Sequence, residues 1–126
     1  MAVIRDVMPV FELFQPASVA EAVALLERHG SDAWILAGGL DTFDWLKDRS
    51  KRTNVVIDLS QVEGLRGIRE VDGGLEIGAL TALTEVERHP GVRARFGLLM
   101  EAAGLVASPQ IRNQGTLGGN IAQDTR

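Results

Sequence analysis

Two turns built on paired glycines constrain this 126-residue chain more than any other feature. The first reads Ile35-Leu36-Ala37-Gly38-Gly39-Leu40-Asp41, and the second reads Asn113-Gln114-Gly115-Thr116-Leu117-Gly118-Gly119-Asn120-Ile121-Ala122. Each follows apolar residues and places glycine where a side chain would block close approach. Glycine turns readily through positive φ and can aim successive N–H groups at an anion. Two such loops in one small chain suggest a ligand with two phosphates, clasped from two sides. A dinucleotide pyrophosphate fits that description. Neither loop has the G-x-x-x-x-G-K-[ST] spacing of a P-loop, and neither has the G-x-G-x-x-G spacing of an ordinary Rossmann site.

Composition narrows the class. There is no cysteine, so the chain can hold neither a disulfide nor a thiolate-ligated cluster. The net charge of −4 argues against a nucleic-acid surface, which carries a basic excess. With four Phe, two Trp and no Tyr, the core must be aliphatic. The segment from Met1 to Val10 carries Arg5 and Asp6 and lacks the continuous apolar core of a signal peptide. No apolar run is long enough to span a membrane. A cytoplasmic location is the resulting expectation.

The pattern predicts a strand over Phe11–Phe14, closed by Pro16, and a helix from Val19 to about Arg28. Ser18 and Glu21 have the capping-box spacing at its start, and Gly30 is placed to end it. Val19, Ala22, Val23, Leu25 and Leu26 would form its apolar face. A second strand over Ala33–Ala37 runs into the first glycine turn, a short helix covers about Thr42–Asp48, and Val55–Leu59 reads as a buried parallel strand. Lys47 to Arg52 reads as a solvated charged loop. After residue 60 the pattern changes. Leu65–Val71 and Leu75–Gly78 flank Asp72-Gly73-Gly74, a hairpin signal. Thr81 or Thr84 would cap a helix ending near His89-Pro90. Another helix would run from Val92 to Ala107 and stop at Ser108-Pro109, leaving a loop-rich tail from Gln110 to Arg126. Two subdomains are expected, 1–59 and 60–126. The second is expected to be truncated, because a lone hairpin is too small a sheet to be stable.

The chemistry of these segments is that of a binding protein. Ala37-Gly38-Gly39 delivers backbone N–H groups to a helix start, where the dipole adds positive potential, and Asp41 could cap that helix. Thr116 and Asn120 could hydrogen-bond a phosphate or ribose without adding charge. The strand end Glu76-Ile77-Gly78-Ala79-Leu80-Thr81 leaves room for a flat ring or a sugar, or is simply a strand end before a helix. His29 and His89 each lie near a helix C-terminus and are read as structural. No catalytic triad, general base or metal-ligand spacing is visible, so no catalytic residue and no metal ligand is assigned.

Taken together, these segments resemble the FAD-binding medium subunit of the molybdenum hydroxylases, the xanthine dehydrogenase and carbon monoxide dehydrogenase family. Phe14-Gln15-Pro16-Ala17-Ser18-Val19-Ala20-Glu21-Ala22 is similar to that family's opening segment. Ala37-Gly38-Gly39-Leu40-Asp41 is similar to its pyrophosphate loop, with Leu40 in place of the usual Thr or His. Ile77-Gly78-Ala79-Leu80-Thr81 resembles its IGAxT element. Ile111-Arg112-Asn113 with Gly115-Thr116-Leu117-Gly118-Gly119-Asn120-Ile121 resembles its longest signature.

The resemblance implies an α+β fold, the two-subdomain FAD-binding module of the vanillyl-alcohol oxidase type. It has a small βαβ N-terminal subdomain followed by the start of a second α+β subdomain. It implies non-covalent FAD, held by Leu36, Ala37, Gly38, Gly39, Leu40, Asp41, Ile77, Gly78, Thr81, Asn113, Gly115, Thr116, Leu117, Gly118, Gly119, Asn120 and Asp124. It implies an electron-transfer role beside a molybdopterin-binding large subunit and a [2Fe–2S] small subunit. The ending Ala122-Gln123-Asp124-Thr125-Arg126 is similar to the 4-hydroxybenzoyl-CoA reductase branch, where a [4Fe–4S] insertion would follow beyond Arg126. Two other readings stay open: a self-sufficient flavin oxidase of the same fold, and a flavin-free interaction module.

Overall fold

The computed structural model describes residues 7–123. It is an α+β structure that divides into two compact units, Met1–Glu63 and Gly64–Arg126.

The first unit runs β1 (Glu12–Phe14), α1 (Val19–His29), β2 (Ala33–Leu36), α2 (Leu40–Lys47) and β3 (Val55–Asp58), with single 3-10 turns at Gly30–Asp32 and Leu59–Gln61. All three strands are parallel, in the order β1-β3-β2. The last strand in sequence is therefore the central one. Val55, Val56 and Ile57 are all buried, as expected of a parallel strand covered on both faces. Leu36, Leu46 and Val56 form the core beneath the first glycine turn, with Met8 and Phe11 packed against them.

Helix α1 starts as its sequence predicts. The Ser18 hydroxyl accepts from the Glu21 N–H at 3.2 Å. The Glu21 carboxylate, however, reaches one residue further back and accepts from the Ala17 N–H at 2.8 Å. The predicted apolar face is only partly right. Ala22 is buried and Leu25 and Leu26 are half-buried, but Val19 and Val23 are 48% and 46% exposed. The inward stripe is centred on 22, 25, 26 and 29, where His29 lies against Phe14 with ring centroids 5.3 Å apart. Val19 and Val23 fall on the flank of that stripe. The loop after α2 is exposed at Asp48 and from Ser50 to Arg52, as expected, but Arg49 is half-buried and its guanidinium folds back onto backbone carbonyls.

The second unit opens with an antiparallel hairpin, β4 (Ile68–Val71) and β5 (Gly74–Ile77), paired from Ile68↔Ile77 to Val71↔Gly74. Asp72 and Gly73 form its two-residue turn with φ of 44° and 77°, the positive pair that a type I′ turn requires. Five short helices follow: α3 (Leu83–Arg88), α4 (Pro90–Arg95), α5 (Gly97–Gly104), α6 (Pro109–Gln114) and α7 (Leu117–Ile121). Val86, Val92 and Ala103 make the core, backed by Ile68, Leu75, Ile77, Leu99 and Met100.

Three expectations fail here. The single helix over Val92–Ala107 is broken at Phe96, which sits at φ −131°, ψ 54°. The break turns the chain so that α3 packs against both pieces, α4 and α5. Neither Thr81 nor Thr84 caps α3. The cap position is Ala82, whose N–H donates to the Glu85 carboxylate at 2.9 Å. The tail is helical rather than loop-rich. Ser108-Pro109 begins α6 as its N-cap and first residue, the asymmetry that favours proline at a helix start. Among the described residues, no helix is long and apolar enough to cross a membrane.

Candidate functional site

The first glycine turn is a short path from the end of β2 to the start of α2. Leu36 is buried in the core and fixes the point where the strand ends. Gly39, the N-cap position of α2, sits at φ 80°, ψ −3°, where glycine is favoured. A Cβ there would also lie 2.6 Å from the Phe43 ring. The ring can swing aside, so it is the positive φ that favours glycine here, and glycine brings no capping side chain. The first N–H groups of a helix have no acceptor within the helix, and they sit at the positive end of its dipole, where an anion is favoured. The helix is held from the side: the Trp34 indole N–H donates to the Thr42 hydroxyl at 3.1 Å, and Trp34 meets Trp45 edge-on at 6.0 Å.

Beside this loop the structure places a carboxylate that sequence reasoning missed. Asp58 ends β3 directly opposite Leu36 in the sheet register. It accepts from the Ser60 N–H at 2.9 Å, the Ser60 hydroxyl at 3.0 Å and the Gln15 amide at 2.9 Å. Burial pushes its carboxyl up, but these hydrogen bonds outweigh burial and hold it below the ordinary aspartate value. The available signal was Asp58 two residues before Ser60 at the end of a β-branched run, an Asx-turn spacing.

In the second unit, two motifs that look separate in sequence are one piece of structure. The segment 115–118 is zipped onto 79–83. Leu83 N–H donates to Gly115 O at 3.0 Å, Leu117 N–H to Thr81 O at 2.9 Å, and Gly118 N–H to Ala79 O at 2.8 Å. A Cβ on Gly118 would stand 2.9 Å from both the Cβ and the carbonyl oxygen of Ala79. On the other side of the same segment, a Cβ on Gly78 would lie 2.4 Å from Leu65 O. These two glycines are required because backbones touch there.

The donors of this second loop are used internally. Gly115 N–H goes to Ile111 O, Gly119 N–H to the Thr116 hydroxyl at 3.1 Å, and Asn120 N–H to Thr116 O. Thr116 is thus the N-cap of α7. Thr81 is 0% exposed, and its hydroxyl both donates to Gly67 O and accepts from Gly67 N–H. Asn113 accepts from the Thr84 hydroxyl at 2.7 Å, and the Asn120 amide lies 3.5 Å from the Gln123 side chain. Ile77 closes the hairpin against Ile68. Arg112, the one cation within this stretch, turns inward. Its side chain is 13% exposed, bonds Val106 O at 2.9 Å and lies 3.6 Å from the Glu87 carboxylate. Of the sequence-predicted residues, Leu36 to Asp41 lie together in the first unit, and Ile77, Gly78, Thr81 and 113–120 lie together in the second. Asp124 falls outside the described residues. Among the described residues no cluster could hold a metal ion.

A family profile described as the FAD binding domain in molybdopterin dehydrogenase matches residues 9–126. The chain belongs to that family. Among relatives of this FAD-binding domain, the carbon monoxide dehydrogenase medium chain of Hydrogenophaga pseudoflava is 48% identical over 114 residues, covering 90% of this chain and 40% of that protein. The nicotinate dehydrogenase FAD-subunit of Eubacterium barkeri is 41% identical, covering 89% of this chain and 38% of that protein. Among solved structures, the Hydrogenophaga pseudoflava carbon monoxide dehydrogenase that lacks the Mo-pyranopterin moiety matches with a TM-score of 0.88 at 47% identity, over 92% of this chain and 40% of that one. Quinoline 2-oxidoreductase from Pseudomonas putida 86 matches at 0.85 and 32% identity, over the same shares. The chain thus spans about two-fifths of the length of these relatives.

Proposed function

We propose that this domain holds FAD non-covalently within an electron-transfer subunit of a molybdenum hydroxylase-type oxidoreductase. In that reading it works beside a molybdopterin-binding subunit and a [2Fe–2S] subunit, in the cytoplasm. The observation that carries the reading is the left-handed Gly39 at the start of α2, which brings no side chain to the cap position, in a chain whose family is defined by FAD binding. The relatives named as medium chains and FAD-subunits support the assignment to a larger assembly.

Bound FAD supplies the redox chemistry, in one- or two-electron steps; the protein supplies binding and orientation. Ala37 to Asp41 would meet the diphosphate with backbone N–H groups, where the dipole offsets its charge. Leu36 anchors that loop, and the exposed Leu40 leaves its backbone to make the contact. Ile77, Gly78, Thr81, Asn113 and 115–120 would contribute through a rigid surface whose shape is set by internal bonds. In that surface Asn113 and Gly119 are exposed and Asn120 is half-buried. No residue is assigned a proton-transfer step.

Trp45 lies in α2 and Trp34 in β2 with its indole on Thr42 of α2, so the indole emission of this chain reports on the elements that flank the loop. Titration with FAD should quench it to saturation. Gly39→Val should weaken binding about tenfold or more, because a β-branched residue resists φ of 80° and the anion site closes. A folded wild-type chain whose emission ignores FAD would overturn the reading.

A further inference from the structure

Helix α2 is tied down at its C-terminal end. At its C-terminus every late carbonyl has a donor. Asp48 N–H reaches Asp44 O at 2.9 Å, and Lys51 N–H reaches Trp45 O at 3.2 Å. The last two carbonyls, Leu46 O and Lys47 O, both accept from one nitrogen, Nη1 of Arg49, at 2.8 and 2.9 Å. The same nitrogen donates to Val7 O at 3.0 Å. Arg49 reaches this position from a left-handed backbone, φ 64°, that a non-glycine residue seldom adopts. That conformation lets the side chain curl back over the helix it follows.

We propose that Arg49 is a positioning residue for the first glycine loop. Its guanidinium joins three parts of the first unit: the end of α2, the segment entering at Val7, and, through Leu46, the core on which Leu36 packs. Leu36 is the last residue before Ala37-Gly38-Gly39. An eight-residue helix is too short to hold its shape alone, so its ordered fraction depends on its ends and its packing. A cation at the C-terminus also stabilises the helix by interacting with the negative end of its dipole. Removing the guanidinium should fray α2 from its C-terminus and lower the fraction of chains whose loop is competent to bind an anion. Apparent affinity falls with that fraction.

The inference rests on the FAD reading for its functional half and is separable from it by amide exchange. Three variants of the chain test it: Arg49→Gln, Arg49→Lys, and Arg49→Gly, which fits the left-handed backbone while removing the side chain. Exchange without ligand should speed up at the α2 amides 44–48 in the Gln and Gly variants while β3 amides 55–57 stay protected. FAD affinity, read by indole quenching, should fall about three- to tenfold in both, with partial recovery in the Lys variant. Unchanged protection of 44–48 in Arg49→Gly would overturn the anchoring role whether or not FAD binds. Loss of protection at 44–48 with FAD affinity held within twofold would overturn the link to the loop. A wild type blind to FAD, with faster exchange at 44–48 in the Gly variant, would sink the FAD reading and leave the anchor standing.

Discussion

The two glycine turns look alike in sequence and are physically opposite. At the first, glycine permits a left-handed N-cap and brings no side chain to it, at the positive end of the helix dipole. At the second, Gly78 and Gly118 let backbones touch, and the loop donors from Gly115 and from Leu117 to Asn120 go to acceptors inside the unit. The second turn is built to hold a shape; the first is the one proposed to receive an anion. A paired glycine marks close approach, and only the hydrogen-bond accounting tells whether a ligand or the protein itself is what approaches.

The largest test of that contrast is Gly78→Ala. Its Cβ would lie 2.4 Å from Leu65 O, and a backbone atom cannot rotate away as a side chain can. Overpacking at such a contact should cost about 3 kcal/mol of stability in denaturant unfolding. Gly39→Ala also meets a short contact, but with the movable Phe43 ring, so its cost should come mainly from the positive φ and stay near 1 kcal/mol. Equal losses at the two positions would break the distinction between a frame and an open loop.

A smaller effect is expected at Thr81, a residue that the family resemblance assigns to the cofactor. Thr81→Val keeps the shape and removes the buried hydroxyl that accepts from the Gly67 N–H and donates to Gly67 O. The loss should be about 1–3 kcal/mol of unfolding free energy. FAD affinity at a temperature where the variant is folded should be nearly unchanged. A variant of full stability that no longer binds FAD would show that the Thr81 hydroxyl faces the ligand.

The legible parts of this structure were those written in local pattern. The β-branched run 55–57, the Ser18 cap and the Asp72-Gly73 turn each carry their reason within a few residues. What stayed hidden depends on partners far along the chain. Phe96 breaks a helix that its neighbours favour, because α3 must pack on both halves. The zip between 79–83 and 115–118 joins motifs more than thirty residues apart, so no window could show that the second loop spends its own donors. Ser108-Pro109 was ambiguous by nature, since the same pair can follow one helix or begin another. Asp58 and Arg49 read as ordinary surface charges until their acceptors and donors are seen.

The smallest expected effect belongs to Asp58, at the edge of the open loop. Its carboxyl is held below the ordinary value of 3.8, so the folded state favours the ionised form. The bonds from Ser60 and Gln15 therefore contribute their full stability above about 3.8 and lose it as pH falls through the lower, folded value. The group is only half-buried, so solvent screens part of the contribution and keeps it small. Acid titration followed by indole emission should show the first unit loosening below the ordinary aspartate range, and Asp58→Asn should flatten that part of the curve. The same titration read by exchange at the 115–120 amides should be insensitive to Asp58→Asn, because that loop is held by backbone and hydroxyl groups that do not titrate there. An Asp58→Asn effect of equal size at 115–120 would mean that the two loops share one stability, and that the contrast between them is one of hydrogen bonding alone.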